Sequence, residues 1–314
     1  MPLETIQDPA VVLHVPFNPP HSFGLYAKLC LSEHEGPLPF QWSRGVWSSL
    51  VQTEEGHYIP VEVAQDAIGS VHSLRIAFHG DPSSKDLKNI VKMISEAFCT
   101  DLDLNCFYAT TGTDDALRFL ARELRGLKPD LSMRSYEALI KAIIRQLIRA
   151  SSARDAISLL VKTFGGKNKL GHQVFYSFPT PLALAQAKKS ELLGCKLGFK
   201  WKLIREISRD VVCGDLDLDD LSRQTNEEII RVLEEYRGIG YWTSRIFLYD
   251  GLKRLNSYPI QDISLRRAIS ELYYEGCVIS WMEVQRFFKA WTGWTGILVT
   301  YMFGYLWLKR LGKL

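Results

Sequence analysis

Cysteine is scarce and scattered in this chain. Its 314 residues hold six, Cys30, Cys99, Cys106, Cys195, Cys213 and Cys277, and no two stand at C-x-x-C spacing. That excludes the usual zinc and iron–sulfur motifs and, at this length, a disulfide framework. Most of the thiols read as small buried hydrophobes. Histidine is also sparse: of seven, only His172 lies beyond residue 80, so a histidine-based metal site is not expected. No apolar run approaches the roughly 18 residues of a membrane helix, and Met1-Pro2-Leu3-Glu4 lacks the basic-then-apolar layout of a secretory signal. The expectation is a cytosolic protein (nucleoid-associated, or nuclear if the source is eukaryotic) with no membrane partner. There is no internal repeat and no low-complexity tract.

What is present is ordinary in amount, 46% hydrophobic and 23% charged, and enough for two or three packed domains. Its distribution is uneven. Residues 1–112 carry 6 Lys+Arg against 13 Asp+Glu, a net of −7; residues 113–314 carry 32 against 22, a net of +10. A basic half beside an acidic one suits a polyanion partner for the basic half, although a solvated lysine-rich surface would give the same count.

Hydrophobic periodicity changes at the same place. Before residue 112, stretches rich in β-branched and aromatic residues predict strands at Val11–Val15, Phe23–Cys30, Gly45–Gln52, His57–Val63 and Val71–Phe78. Asp81-Pro82-Ser83-Ser84 then starts a helix carrying Leu87, Ile90, Val91, Ile94 and Phe98 at helical spacing. From about Thr113 the pattern is helical throughout. Predicted helices include Asp114–Leu124, Ser135–Ala150, Ser152–Phe164, Lys200–Val212, Thr225–Tyr236, Tyr241–Leu252, Ile263–Tyr273, Ser280–Trp291 and Ile297–Leu311, with shorter ones at Pro181–Ala187 and Ser190–Leu193. Two units follow: residues 1–112, an α/β sheet domain, and residues 113–314, an all-α domain.

The most specific local signal is Leu233-Glu234-Glu235-Tyr236-Arg237-Gly238-Ile239-Gly240-Tyr241-Trp242-Thr243-Ser244. Two glycines permit a tight hairpin between helices, Ile239 can plug the apolar gap, and the second helix opens with unpaired N–H groups able to hold a phosphate. A plain helical hairpin with a glycine turn is the bland alternative. Downstream, Pro259-Ile260-Gln261-Asp262 puts an aspartate where a helix starts; taken alone, Asp262 reads as an N-cap.

The spacing of the two, Asp262 lying 22 residues beyond Gly240, resembles the helix–hairpin–helix glycosylase superfamily, closest to its 3-methyladenine DNA glycosylase II family. The resemblance runs from about residue 114 to the C-terminus and includes Ile143-Ile144-Arg145-Gln146-Leu147-Ile148 and Trp291-Thr292-Gly293-Trp294. It implies an α+β fold, a small antiparallel (TBP-like) sheet domain followed by a two-lobed all-α domain. Its activity would be hydrolysis of the N-glycosidic bond of damaged, alkylated bases flipped out of duplex DNA. By position, Asp262 matches the catalytic carboxylate, Leu147 the residue wedged into the vacated stack with Gln146 beside it, and Trp242 and Trp294 the walls of the base pocket. Gly238, Ile239, Gly240, Thr243 and Arg149 fall where DNA would be contacted. The backbone carbonyls of Glu234, Tyr236 and Ile239 match those that hold a monovalent cation, Na+ or K+; no other cofactor is implied, and the protein would act as a monomer on double-stranded DNA. Ile246 stands where the bacterial enzyme has a pocket tyrosine, Thr295 where an arginine usually follows, and Arg237 where the hairpin usually has proline.

The residue types suit the chemistry. Breaking the base–sugar bond builds positive charge on the sugar, which one carboxylate in a dry pocket can stabilise while it orients water. Electron-rich rings attract a cationic base by about 0.5–2 kcal/mol. Each residue has a blander role: the tryptophans as core, Leu147 as one more member of the apolar stripe Leu139, Ile140, Ile143, Ile144. Lys141, Arg145 and Arg149 recur every fourth residue, a row that could track phosphates or simply be solvated. Three other functions fit less well. An 8-oxoguanine glycosylase with lyase activity would need a lysine where Trp242 stands. A non-catalytic DNA-binding module would not need Asp262. A purely structural helical protein leaves the charge asymmetry unexplained.

Overall fold

The structure, a computed structural model, describes residues 9–25, 37–68 and 71–313. The acidic first unit is a five-stranded antiparallel sheet, β1 (Val11–Pro16), β2 (Phe40–Ser43), β3 (Val46–Gln52), β4 (Tyr58–Ile68) and β5 (Val71–Phe78), in the order β1-β5-β4-β3-β2. Alternation along β4 and β5 sends Val61, Val63, Leu74 and Ile76 into one buried face. Helix α1 (Ser84–Ala97) covers it with Ile90 and Ile94, and its start is fixed by a Ser83/Asp86 capping box. The strand expected over Phe23–Cys30 is not found: Phe23–Leu25 turn helically, and Tyr26–Cys30 lie outside the described residues. Phe23 instead packs on Trp42 of β2, a strand too short to stand out in the sequence.

The longer helices of the second unit are α2 (Asp115–Glu123), α3 (Ser135–Arg145), α4 (Ala150–Phe164), α5 (Trp201–Cys213), α6 (Asn226–Glu234), α7 (Tyr241–Ile246), α8 (Ile263–Tyr273), α9 (Trp281–Ala290) and α10 (Thr295–Arg310). Polar caps start many of them where the sequence placed them: Asp114, Thr225 with Glu228, and Ser280 with Glu283. Two apolar cores form. One gathers residues of α3 through α6, including Ile140, Ile204 and Ile229, with Phe247 and Leu248 from just after α7. The other gathers α2 and α8 through α10, including Leu120, Leu265, Val284 and Leu298. Leu104 and Phe107 already belong to this second core, so packing passes to the helical unit shortly before residue 112.

Three expectations need correction. The helix expected over Ser135–Ala150 ends at Arg145; Gln146 turns extended (φ −56°, ψ 130°), and a second helix begins at Ala150. A hairpin, β6 (Lys167–Leu170) and β7 (Gln173–Tyr176), interrupts the all-helical stretch and leans on the first sheet, with Gln41 Nε2 donating to Val174 O at 3.0 Å and Gln173 Nε2 to Ser48 Oγ at 2.9 Å. Gly165 and Gly166 admit it, because a Cβ on Gly166 would lie 2.6 Å from the Tyr58 ring. Of the cysteines, Cys195 is buried, but Cys106, Cys213 and Cys277 are exposed rather than core.

Candidate active site

The hairpin, the break after α3 and the start of α8 meet at the seam between the two helical cores. Helix α6 ends at Glu234, and the chain reverses through Gly238 (φ +112°), a backbone conformation that side chains resist. Ile239 is buried beneath the turn, as its role as plug requires. Gly240 caps α7 in an extended conformation, its carbonyl accepting from Thr243 N at 3.0 Å and Ser244 N at 3.1 Å. Ahead of these, the N–H groups of Tyr241 and Trp242 have no acceptor within α7. Thr243 itself is buried, and its hydroxyl takes a hydrogen bond from Gln146 Nε2 at 2.8 Å. The same amide donates to Gly238 O at 2.8 Å, which ties the loop after α3 to the hairpin.

At the seam Asp262 does two things at once. Its Oδ1 caps α8, accepting from Ser264 N at 2.9 Å and Leu265 N at 3.2 Å. Its Oδ2 accepts from Trp242 Nε1 at 3.1 Å and, more loosely, from Tyr258 OH at 3.5 Å. Cap and candidate catalyst are thus the same half-buried side chain, with one oxygen given to each role. Trp242 and Tyr258 both line a cavity of about 970 Å³, with Ile246, Tyr249 and Phe303; Asp262 is not itself in that lining, and its second oxygen meets the cavity wall through these two side chains. Tyr258 is the site residue the sequence did not disclose; its only signal is a place four residues before Asp262. Burial, reinforced by the Asp262 charge, holds its phenol well above the ordinary tyrosine range, so it stays a donor.

Charged groups line the same cavity and change the reading of the basic row. Lys141 is buried, donating to Ser132 Oγ at 2.8 Å and to Glu137 Oε1 at 3.3 Å. Asp250, whose acidity is raised by Lys141, Arg145 and Lys253 against the opposing effect of burial, accepts from Ser132 N at 2.5 Å and lies 4.0 Å from Arg145 Nη1. Lys141 therefore cannot reach a phosphate. Arg149 has left that helix face altogether: it is exposed and stands at the N-cap position of α4 without a side-chain capping bond.

Leu147 is 97% exposed and has φ +54°, unusual for a bulky residue. It is no part of an apolar stripe. Trp294 is half-buried at the start of α10 with its ring 5.8 Å from Phe107, and it is absent from the lining of the cavity that holds Trp242.

A family model described as HhH-GPD superfamily base excision DNA repair protein matches residues 140–292, a span that holds the hairpin, Asp262 and the loop at Leu147. A DNA-3-methyladenine glycosylase of Bacillus subtilis is 30% identical over 190 residues, covering 59% of this chain and 61% of the relative. DNA-3-methyladenine glycosylase 1 of Schizosaccharomyces pombe is 27% identical, covering 52% and 70%. Among solved structures, a 3-methyladenine DNA-glycosylase from Archaeoglobus fulgidus superposes with a TM-score of 0.81 at 25% identity, covering 94% of this chain and 98% of that one. The match to the Bacillus relative thus spans about three fifths of its length, whereas the archaeal likeness extends across both units.

Proposed function

The chain belongs to the HhH-GPD superfamily of base-excision DNA repair proteins, and from that premise we propose that it is a monofunctional DNA glycosylase that frees alkylated bases from double-stranded DNA. The observation that carries the reading is the divided carboxylate of Asp262: one oxygen fixed by the helix it caps, the other bonded to Trp242 and Tyr258, two side chains that line the cavity. The names borne by the Bacillus, fission-yeast and archaeal relatives support it.

The chemistry follows from the placement. The hairpin offers backbone N–H groups to a phosphate near the lesion, which positions the protein without reading sequence. The target base leaves the stack, at a price of a few kcal/mol, and Leu147 fills the gap. Inside the cavity the flipped base would meet the aromatic side chains Trp242, Tyr249 and Phe303, which line it. As the base–sugar bond lengthens, the Asp262 carboxylate faces the positive charge growing at the sugar and orients the water that completes the reaction. An N-alkylated purine already carries the charge that makes it a good leaving group, so no second acid is needed. A monovalent cation at the hairpin would be held by the carbonyls of Glu234, Tyr236 and Ile239, neutral oxygen donors that suit a hard singly charged ion; it would stiffen the turn and take no part in the bond breaking.

Chromatography of the bases freed from methylated, deaminated and oxidised duplexes tests this directly. Release of methylated purines is expected. Release of 8-oxoguanine alone, or of no base, overturns the reading.

A further inference from the structure

Lys200 is the charged residue that the chemistry above leaves unused. It ends a short turn, Gly198–Lys200, that two left-handed residues, Lys196 (φ +57°) and Gly198 (φ +56°), fold back beneath the C-terminus of α3. There its buried ammonium donates to the carbonyl oxygens of Ile144 at 2.7 Å and Gln146 at 2.6 Å. Burial pulls its pKa below the ordinary lysine value, and no carboxylate pairs with it among the described residues. A cation without a counter-ion, pressed against the last carbonyls of a helix, is held by the carbonyl dipoles and in turn holds them.

With those two carbonyls taken, α3 stops at Arg145, two residues short of Leu147. Helical N–H groups would take them if the helix continued, as the apolar periodicity of the sequence suggests; Lys200 takes them instead. Leu147 then stands in a left-handed conformation with almost no protein contact of its own. Beneath the loop is a hollow of about 150 Å³ between Ile148, Phe199 and the Lys200 stem, so apolar packing does not brace it from below. The loop is tied from two sides by hydrogen bonds, Lys200 to the backbone and Gln146 to the hairpin.

We propose that Lys200 is a positioning residue, a latch that ends α3 early and keeps Leu147 presented to the duplex. The proposal rests on Leu147 being the residue that enters the gap left by the flipped base. Leu147 would otherwise be drawn back into the helix or onto the hollow beneath it, so opening the duplex should suffer while the chemistry at Asp262 does not.

The test uses the full chain carrying Lys200→Met, Lys200→Arg or Leu147→Ala. In the free protein, amide exchange followed by mass spectrometry should be faster across residues 144–149 in Lys200→Met and near wild type in Lys200→Arg, which keeps a cation at the carbonyls. With single-turnover excision, Lys200→Met should lose about tenfold or more on methylated duplex but less than about twofold on methylated single strands. Added to Leu147→Ala, it should bring almost no further loss, because both act through one side chain. Equal losses on duplex and single strand, or losses that multiply in the double variant, overturn the latch; so does unchanged exchange across 144–149. If Lys200→Met does not fold, Lys200→Gln is read by the same criteria. The exchange measurement needs no DNA, so a wild-type protein that frees no base defeats the glycosylase reading and leaves the latch to be judged on exchange alone.

Discussion

Asp262 and Leu147 are the two residues at which structure and function can be pulled apart experimentally. Asp262→Asn keeps a side-chain oxygen for Ser264 N and Leu265 N, and Asn caps helices about as well as Asp. The variant should therefore fold and bind DNA nearly as wild type, yet release bases at least about a hundredfold more slowly, the range for removing a positioned electrostatic group. Near-normal turnover would return Asp262 to a purely capping role. For Leu147 the separation runs through stability. A core leucine cut to alanine loses about 2–5 kcal/mol, but this one is 97% exposed, so Leu147→Ala should shift unfolding by no more than about 0.5 kcal/mol. Excision from duplex should fall far more than excision from single strands, where no stack has to be opened. A large stability loss measured by denaturant would contradict the exposed position on which its function rests.

At the scale of elements, the two hairpin glycines make a contrast the sequence does not reveal. Gly238 sits at φ +112°, where any side chain strains the backbone, and a Cβ there would also approach Leu203 to 3.3 Å. Gly238→Ala should destabilise the fold by about 1–3 kcal/mol. Gly240 is extended, and a Cβ on it meets nothing within 4 Å. Gly240→Ala should leave unfolding unchanged and weaken binding to damaged and undamaged duplex alike, since the methyl group would project where a phosphate is expected to sit. Unaltered affinity at moderate salt would remove the hairpin from the DNA interface. The hairpin and most helix starts were legible because glycines, capping residues and apolar spacing are local signals. The end of α3 was not, because Leu147 and Ile148 continue the apolar rhythm and the interruption comes from Lys200, more than fifty residues away in sequence. Lys141 misled for the same reason: its spacing matched an exposed row, while its partners Ser132 and Glu137 bury it. The β6–β7 hairpin escaped because its strands are four residues long and are held by Gln41 and Ser48 of the other unit.

For the whole molecule, the question is whether the proposed hydrolysis is all that the cavity between its units can do. Cutting the DNA strand as well would require an amine that attacks the sugar to form an imine, and the position that the resemblance gives to a lyase's lysine holds Trp242. Two lysines do line the cavity here, and both are engaged. Lys141 is paired with Glu137 and Ser132 Oγ. Lys128, at the seam with the first unit, donates to the carbonyls of Asn18, Cys99 and Thr100 at 3.0–3.1 Å. Burial draws the pKa of Lys128 down to about 8, which by itself would favour a nucleophile, but a nitrogen committed to three carbonyls must break those bonds before it can attack. The prediction is therefore an intact abasic strand as product, cleaved only on later treatment with alkali. Borohydride added during turnover on methylated duplex should trap no protein–DNA adduct. An adduct that persists in Lys128→Met and vanishes in Lys141→Met would make Lys141 the nucleophile and the protein a lyase; the opposite pattern would implicate Lys128.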